Sequence, residues 1–342
     1  MFDLRSDTVT KPSKDILKTA LNAELGDDEY KEDPTVNQLE DQCAKLLNFE
    51  KGLFVTSGLM GNQISLLIHN KPGTEVITPY DSHIKNYEHG AAAFLSRVQF
   101  RDIEHVDGEI ELSNLEKILQ KSKVHKPIIK TLTIENTHLA SGGSIVSKKN
   151  IKLLREFTTS NSLKFHIDGA RIWHAILQDN QNYNFGSYCD SLTFCFSKAL
   201  SAPIGSMLLG SNDFISQARE FRKILGGGMR QVGVIASMAK MALDRREDIL
   251  ADHTKANNVY ENLLLDVKNK KIKNIVYKNT NMIFFQFFEQ QDAETFLVEL
   301  NRNNIKAGLI NESSVRFVFH KDIELEDLGL IAEKIIYSSS KF

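Results

Sequence analysis

This sequence predicts a large α/β domain on a mostly parallel sheet, followed by a small C-terminal α+β domain. Three observations predict it. Short β-branched runs alternate with helical stretches through the middle of the chain, the pattern of strand–helix units with helices on both faces of a sheet. The character changes near residue 245, where a long polar helix pattern leads into mixed strands and helices. Polar and ionisable residues also follow one predicted strand after another, and in open α/β sheets ligands bind beyond the carboxyl ends of the strands. A length of 342 residues suits two domains of roughly 150 residues each.

In chain order, the first 30 residues read as an arm, 31–245 as the large domain and 246–342 as the small one. LFVTS (53–57) is a predicted strand, followed by a helical MGNQISLLIHN. EVITP (75–79) is the next strand. IIKTLTIE (128–135) is the third, followed after Gly142 and Gly143 by the helix KKNIKLLREFTTS. LKFHID (163–168) and SLTFCFS (191–197) supply two more. In the small domain come VYKNTNMIFFQFF, a helical AETFLVELNRNNI, the strand SVRFVFH and a last helix.

Composition excludes several classes. Lys plus Arg number 42 and Asp plus Glu 44, for a net charge of −2, so no global positive field holds a nucleic acid or an anionic membrane. Cys43, Cys189 and Cys195 are an odd count without a CxxC pair, against both a secreted disulfide framework and a zinc ribbon. No HExxH or Cys/His cluster has ligand spacing, so no metal is expected. No run approaches the roughly 20 apolar residues of a membrane span, and Asp3, Arg5 and Asp7 leave no apolar signal core at the start. A cytoplasmic location is the expectation. No GxGxxG follows the first strands, against a nicotinamide dehydrogenase.

The residues after the predicted strands suggest a mechanism. Asp168 ends one apolar strand and Lys198 follows another. A carboxylate there can keep a heterocyclic nitrogen protonated by charge pairing, and a partly desolvated lysine can act as an amine nucleophile. Together they describe a pyridoxal phosphate site. Ser57-Gly58-Leu59 opens a helix, and backbone N–H groups at a helix N-terminus suit a phosphate. His83 follows a neighbouring strand and is placed to stack on a ring. Taken singly, a strand-terminal Asp is more often a turn or cap residue, and Ser57-Gly58 is a common turn. Their joint order along the chain carries the reading.

That order resembles the L-threonine aldolases of the fold-type-I pyridoxal phosphate enzymes, in the aromatic amino acid beta-eliminating lyase/threonine aldolase group. The resemblance runs through LRSDTVTKP, GDDEYKEDPTVNQLE, SGLMGN, DSHIKNYEHG, ENTHLASGG, HIDGARIWHA, FCFSKALSAPIGS, LGGGMRQVG and VRFVFH, essentially the whole chain. It implies an aspartate aminotransferase-like fold with a sheet of the seven-stranded type. It implies retro-aldol cleavage of β-hydroxy amino acids such as L-threonine or L-allo-threonine to glycine and an aldehyde. The alternative is a β-eliminating lyase acting on an aromatic amino acid. Lys198 would hold the cofactor covalently, Asp168 would pair with its ring nitrogen and His83 would stack on its face. Gly58 and Leu59 would give backbone N–H bonds to the phosphate, helped by Lys223 or Arg230 of the same or a neighbouring subunit. Arg171 would lie near the phenolic oxygen and the substrate carboxylate, and Ser6 and Arg316 would bind that carboxylate. His125 would stand near the substrate hydroxyl, so the base is His83, His125 or a water they orient. Tyr30 and Tyr87 would line the pocket, Tyr30 from the same chain or across the dimer interface. A homotetramer of two dimers, with sites completed across the dimer interface, is also implied.

Three departures from the family pattern stand out. Leu59 replaces a threonine, Ala199 and Ser201 replace glycines after the lysine, and Lys31 follows Tyr30 where glycine is common.

Overall fold

The computed structural model describes residues 1–121, 125–178 and 184–342. The arm begins with a two-residue strand, β1 (Phe2–Asp3). A short helix α1 (Lys14–Thr19) follows, then α2 (Pro34–Leu47), which Asp33 caps by accepting from the Val36 N–H, with Pro34 in the first turn. That pairing is a standard helix start: the carboxylate satisfies an orphan donor and proline has none to lose.

Seven strands build the large sheet: β2 (Lys51–Val55), β3 (Glu75–Pro79), β4 (Gln99–Ile103), β5 (Ile129–Glu135), β6 (Lys164–Asp168), β7 (Ser191–Cys195) and β8 (Ser206–Gly210). Their order is β2-β8-β7-β6-β5-β3-β4. Only β8 runs against its neighbours, pairing antiparallel with β2 and β7. The expected mostly parallel sheet is therefore present. All five residues of β3, β7 and β8 are buried, as expected of strands covered on both faces. The helix α3 (Gly58–His69) covers one face.

Two strands of the large sheet escaped the sequence reading. The edge strand β4 reads QFRDI, with Arg101 and Asp102 in its middle, so it lacks an apolar run. β8 follows β7 with no helix between them, which breaks the strand–helix alternation.

A second apolar core, around Ala256, Phe285, Phe296, Phe317 and Ile335, lies under a four-stranded antiparallel sheet. Its strands are β9 (Ile272–Tyr277), β10 (Met282–Phe287), β12 (Gly308–Asn311) and β13 (Ser314–Val318), while β11 (Ile305–Lys306) pairs with β1. Leu4 is part of this core. A few residues later Asp7 is bound to Arg171 just beyond β6. The arm thus ties the small sheet to the large one.

The substituted glycine positions have a visible consequence. Lys31 and Ser201 both adopt left-handed backbone, at φ 62° and 61°. Glycine takes this conformation freely, and other L-residues pay roughly 1–2 kcal/mol for it. At Ser201 the turn is held by its N–H donating to the Lys198 carbonyl at 2.7 Å.

Candidate active site

Five strand ends converge at the carboxyl edge of the sheet. β2 leads into Ser57, whose hydroxyl accepts from the Met60 N–H and starts α3. The first N–H groups of a helix have no intrahelical partner, so those of Gly58 and Leu59 remain for an anion. Glycine is required at 58, because a Cβ there would lie 2.9 Å from Cys195 Sγ. Beside it the Ser206 hydroxyl, on β8, is buried without a hydrogen-bond partner.

Asp168 at the end of β6 is almost fully buried. One of its oxygens accepts from the Asn62 amide at 2.8 Å and the other from the Ala170 N–H at 3.1 Å. The same amide nitrogen donates to Glu88 at 2.9 Å, and Gln63 donates to the second Glu88 oxygen at 2.6 Å. With its nitrogen so used, Asn62 can only accept through its carbonyl, from His166 Nε2 at 3.1 Å. This fixes the direction of the chain behind it. His69 donates to Ser191 at 2.7 Å, and the Ser191 hydroxyl donates to His166 Nδ1 at 2.8 Å. Burial holds both rings neutral, at about 4 for His166 and about 3 for His69. Asp168 is thus oriented by a chain of neutral donors.

His83 opens a single helical turn, His83–Asn86, shortly after β3. Its N–H donates to Glu135 at 2.9 Å, and its Nδ1 faces Glu88 at 3.3 Å. Burial pulls the imidazolium down, but the Glu88 hydrogen bond and the charge of Asp168 outweigh it and raise the His83 pKa above its ordinary value, with Lys198 opposing them. With Nδ1 engaged, Nε2 is the ring nitrogen left for other work. Tyr87 lies 5.7 Å from His83, ring centre to ring centre, and its hydroxyl donates to the Ile310 carbonyl of the small sheet at 2.7 Å.

Lys198 follows β7. It is half-buried, and its side-chain amine makes no hydrogen bond or ion pair with the described residues. Its charge nevertheless acts on His83 and on Asp7. Arg171 grips Asp7 through two bonds of 2.8 and 2.6 Å, both residues being buried. Burial pushes the Asp7 carboxyl up, but Arg171 overcomes it and holds the group far below the usual carboxylate range. Arg316, on β13, is the contrasting case. It is buried and donates from Nη2 to the Arg5 carbonyl at 2.8 Å, yet its Nε has no partner and no carboxylate pairs with it among the described residues. Burial, reinforced by Arg171, lowers its pKa to about 10.

The structure brings together Gly58, Leu59, His83, Tyr87, Asp168, Arg171, Lys198 and Arg316. Ser6 stands beside Asp7, with its hydroxyl 3.4 Å from the Asp7 carboxylate. Four expectations are not met within the single chain described. His125 is exposed just before Ile129, where β5 begins, whereas the site lies beyond Glu135 at the other end of that strand. At about 3.3 Å per residue the two ends are some 20 Å apart, so His125 is absent from the site of its own chain. Arg171 offers no open fork to a substrate carboxylate, because Asp7 fills it. Lys223 and Arg230 are exposed and already paired, with Glu29 at 2.5 Å and Asp27 at 3.4 Å. Their loop packs on the first turn of α3, where a Cβ on Gly227 would meet Met60 Sδ at 2.8 Å. Tyr30 is 72% exposed and outside the cluster of its own chain, which leaves the route across a dimer interface as the form of that expectation. Asp7, Asn62, Glu88 and Glu135 were missed. All four lie within segments that carry the resemblance, LRSDTVTKP, SGLMGN, DSHIKNYEHG and ENTHLASGG, but their roles depend on contacts between those segments.

Comparison with known proteins agrees with this geometry. A family model described as beta-eliminating lyase matches residues 3–287. The low specificity L-threonine aldolase of Escherichia coli (strain K12) is 36% identical over 336 residues, 97% of each chain. A threonine aldolase structure from Leishmania major superposes with a TM-score of 0.82 at 19% identity, covering 99% of this chain and all of the other. A structure of SPT with PLP shares the fold at a TM-score of 0.74 and 11% identity, over 99% of this chain and 87% of that one.

Proposed function

This chain belongs to the beta-eliminating lyase family, and from that premise we propose that it is a pyridoxal phosphate-dependent threonine aldolase. It cleaves L-threonine or L-allo-threonine to glycine and acetaldehyde, as a carbon–carbon lyase. The observation that carries the reading is a half-buried, unpartnered Lys198 amine set among Asp168, His83 and the uncompensated Arg316 guanidinium.

The donor set fits the cofactor. The free amine of Lys198 suits covalent attachment, and the carboxylate of Asp168 suits a protonated ring nitrogen. The Gly58 and Leu59 N–H groups, with the orphaned Ser206 hydroxyl beside them, suit a phosphate. When bound, pyridoxal phosphate supplies an electron sink for the pair released as the Cα–Cβ bond breaks. The protein supplies orientation and proton traffic. Arg316, with Ser6 beside it, binds the substrate carboxylate, a bidentate task suited to guanidinium. His83, or a water it holds, takes the proton of the β-hydroxyl, so an aldehyde leaves, and a proton delivered to Cα completes glycine. Asp168, held by Asn62, stays an acceptor for the ring proton.

For His83 to act as a base it must be neutral, so its titration sets the acidic limb of the rate profile. Glu88→Gln removes the partner that raises this pKa, and the limb moves to lower pH. The check is kcat/KM against pH for both proteins. An unmoved limb would take the role from His83.

The activity itself is tested by supplying holoprotein with L-threonine and L-allo-threonine and measuring glycine and acetaldehyde. Equimolar release of both supports the aldolase, and the ratio of rates gives the stereopreference. Ammonia and pyruvate from an aromatic amino acid would support the β-eliminating alternative. A role in threonine breakdown and glycine supply follows from the reaction.

Self-association as a dimer of dimers is supported by large apolar side chains left in solvent, among them Leu21, Phe94 and Ile224 at 85%, 84% and 75% exposure. No described helix is long and apolar enough to cross a membrane, and a cytoplasmic location is part of the same reading.

A further inference from the structure

Beside the site, a second cluster of chemistry-bearing groups has no part in the reaction. Asp81, His105 and His138 come from three loops, after β3, β4 and β5 respectively, and their ligand atoms all lie within 4.8 Å of one another. Asp81 Oδ1 is 2.8 Å from His105 Nε2 and 3.4 Å from His138 Nε2. We propose that these three residues form a binding site for a divalent transition-metal ion of the zinc class.

The donor set selects the metal. Two imidazoles and one carboxylate suit zinc and its neighbours, whereas calcium and magnesium prefer oxygen alone. The spacing agrees as well. Around a tetrahedral ion with bonds near 2.0–2.1 Å, donor atoms sit about 3.3 Å apart. Three protein ligands leave a fourth position for water.

The strongest observation concerns His138. Its side chain is fully buried, and its Nε2 lacks a well-formed hydrogen bond, facing Asp81 Oδ1 at 3.4 Å, although a buried polar atom is ordinarily satisfied. Its other nitrogen, Nδ1, lies 3.0 Å from the Ser141 hydroxyl. Donation from Nδ1 to Ser141 leaves Nε2 bare and aimed at Asp81, the arrangement by which a second hydrogen bond fixes a metal-ligating tautomer. The backbone holds the ring in place, with the His138 N–H donating to Ser144 at 2.7 Å. Gly108 packs on it so closely that a Cβ there would lie 2.8 Å from His138 Cβ. The His105 ring is fixed by stacking on Tyr80, 5.1 Å between centres.

His105 Nδ1 accepts from the Gly108 N–H at 3.0 Å, so without metal its proton is on Nε2, directed at Asp81. An entering ion takes the Nε2 lone pair as that proton moves to Nδ1, which releases Gly108. Protons compete with the ion for both imidazoles and the carboxylate, so affinity rises with pH. Access is through Asp81, whose side chain is 25% exposed. His105 also borders a cavity of about 1080 Å³ whose lining includes Glu104, Asp107 and Glu109, with Lys278 also lining it and paired to Asp107 at 2.8 Å.

The position gives the ion something to do. Asp81 lies two residues before His83, and His138 three residues after Glu135, whose carboxylate holds the His83 N–H. Occupancy fastens together the loops that carry both.

The test uses holoprotein freed of metal by a chelator and then of the chelator. Titration calorimetry with Zn²⁺ is expected to show one ion per chain, and Co²⁺ in its place a visible band of tetrahedral intensity. His105→Ala and Asp81→Asn each weaken zinc about 100-fold or more, and Ser141→Ala, which removes the tautomer-fixing partner, about 10-fold. Melting curves without zinc show whether each variant folds. If neither ligand variant does, Ser141→Ala decides. Absence of a one-per-chain event, or zinc affinity unchanged in the folded variants, overturns the proposal. None of these readouts depends on catalysis.

Discussion

Lys198→Ala is expected to lower the rate of glycine formation by about 10⁴-fold or more, equivalent to about 5 kcal/mol or more of barrier. The visible band of the lysine-bound cofactor, on the order of 420 nm, should disappear with it. The size of the effect follows from the position. Lys198 is an amine at the carboxyl edge with no partner to hold it, whereas Lys85 at the same edge is tied to Asp102 at 2.5 Å and to the Tyr80 carbonyl. No neighbouring lysine is free to take over. Because Lys198 pairs with nothing, its removal leaves no buried group unsatisfied, so the fold should change by no more than about 0.5 kcal/mol. Lys198→Arg separates charge from nucleophilicity: it keeps the cation but cannot form the covalent link. Both variants should therefore be inactive, intact in thermal melts and without the lysine-bound band after reconstitution. Wild-type turnover in either would remove Lys198 from the role.

The position of Lys198 was legible in the sequence because open α/β sheets gather function at strand ends. Five strands could be read from their apolar runs, and the residues after them, His83, Asp168 and Lys198 among them, converge as the topology requires. What supports them was not legible. Asn62 meets Asp168 and Glu88 only because α3 crosses over β6, and nothing near Asn62 along the chain announces either carboxylate. His125 shows the converse. The resemblance assigns it to the substrate hydroxyl, but an extended strand covers about 3.3 Å per residue, so β5 puts the full height of the sheet between His125 and the site of its own chain. β4 and β8 were lost for reasons equally physical, one through charged residues on an edge and the other through a direct antiparallel return. Asp81, His105 and His138 lie on three loops with no shared spacing, so only the stacking of β3, β4 and β5 brings them together.

Arg316→Met should separate activity from stability. In the folded chain Arg316 is a buried cation facing another cation, Arg171, without a carboxylate of its own. Such a group is costly until an anion arrives, and Asp7 is not available because Arg171 holds it through both oxygens. The substrate carboxylate is the natural partner. Removing the guanidinium is expected to reduce kcat/KM by about 10²–10³-fold, equivalent to about 3–4 kcal/mol. The loss should appear mainly in KM, since the carboxylate is bound equally before and during bond cleavage. Thermal stability should hold or rise, because an uncompensated charge leaves the interior, while the Arg5 carbonyl loses one donor. Arg316→Lys keeps a charge but loses the planar fork, so only part of the affinity returns. A wild-type KM in Arg316→Met would assign the carboxylate elsewhere. A large fall in melting temperature would show that Arg316 is a structural cation, satisfied before any substrate binds. The combination of weaker substrate binding with an undiminished fold is what a guanidinium kept in reserve for its ligand predicts.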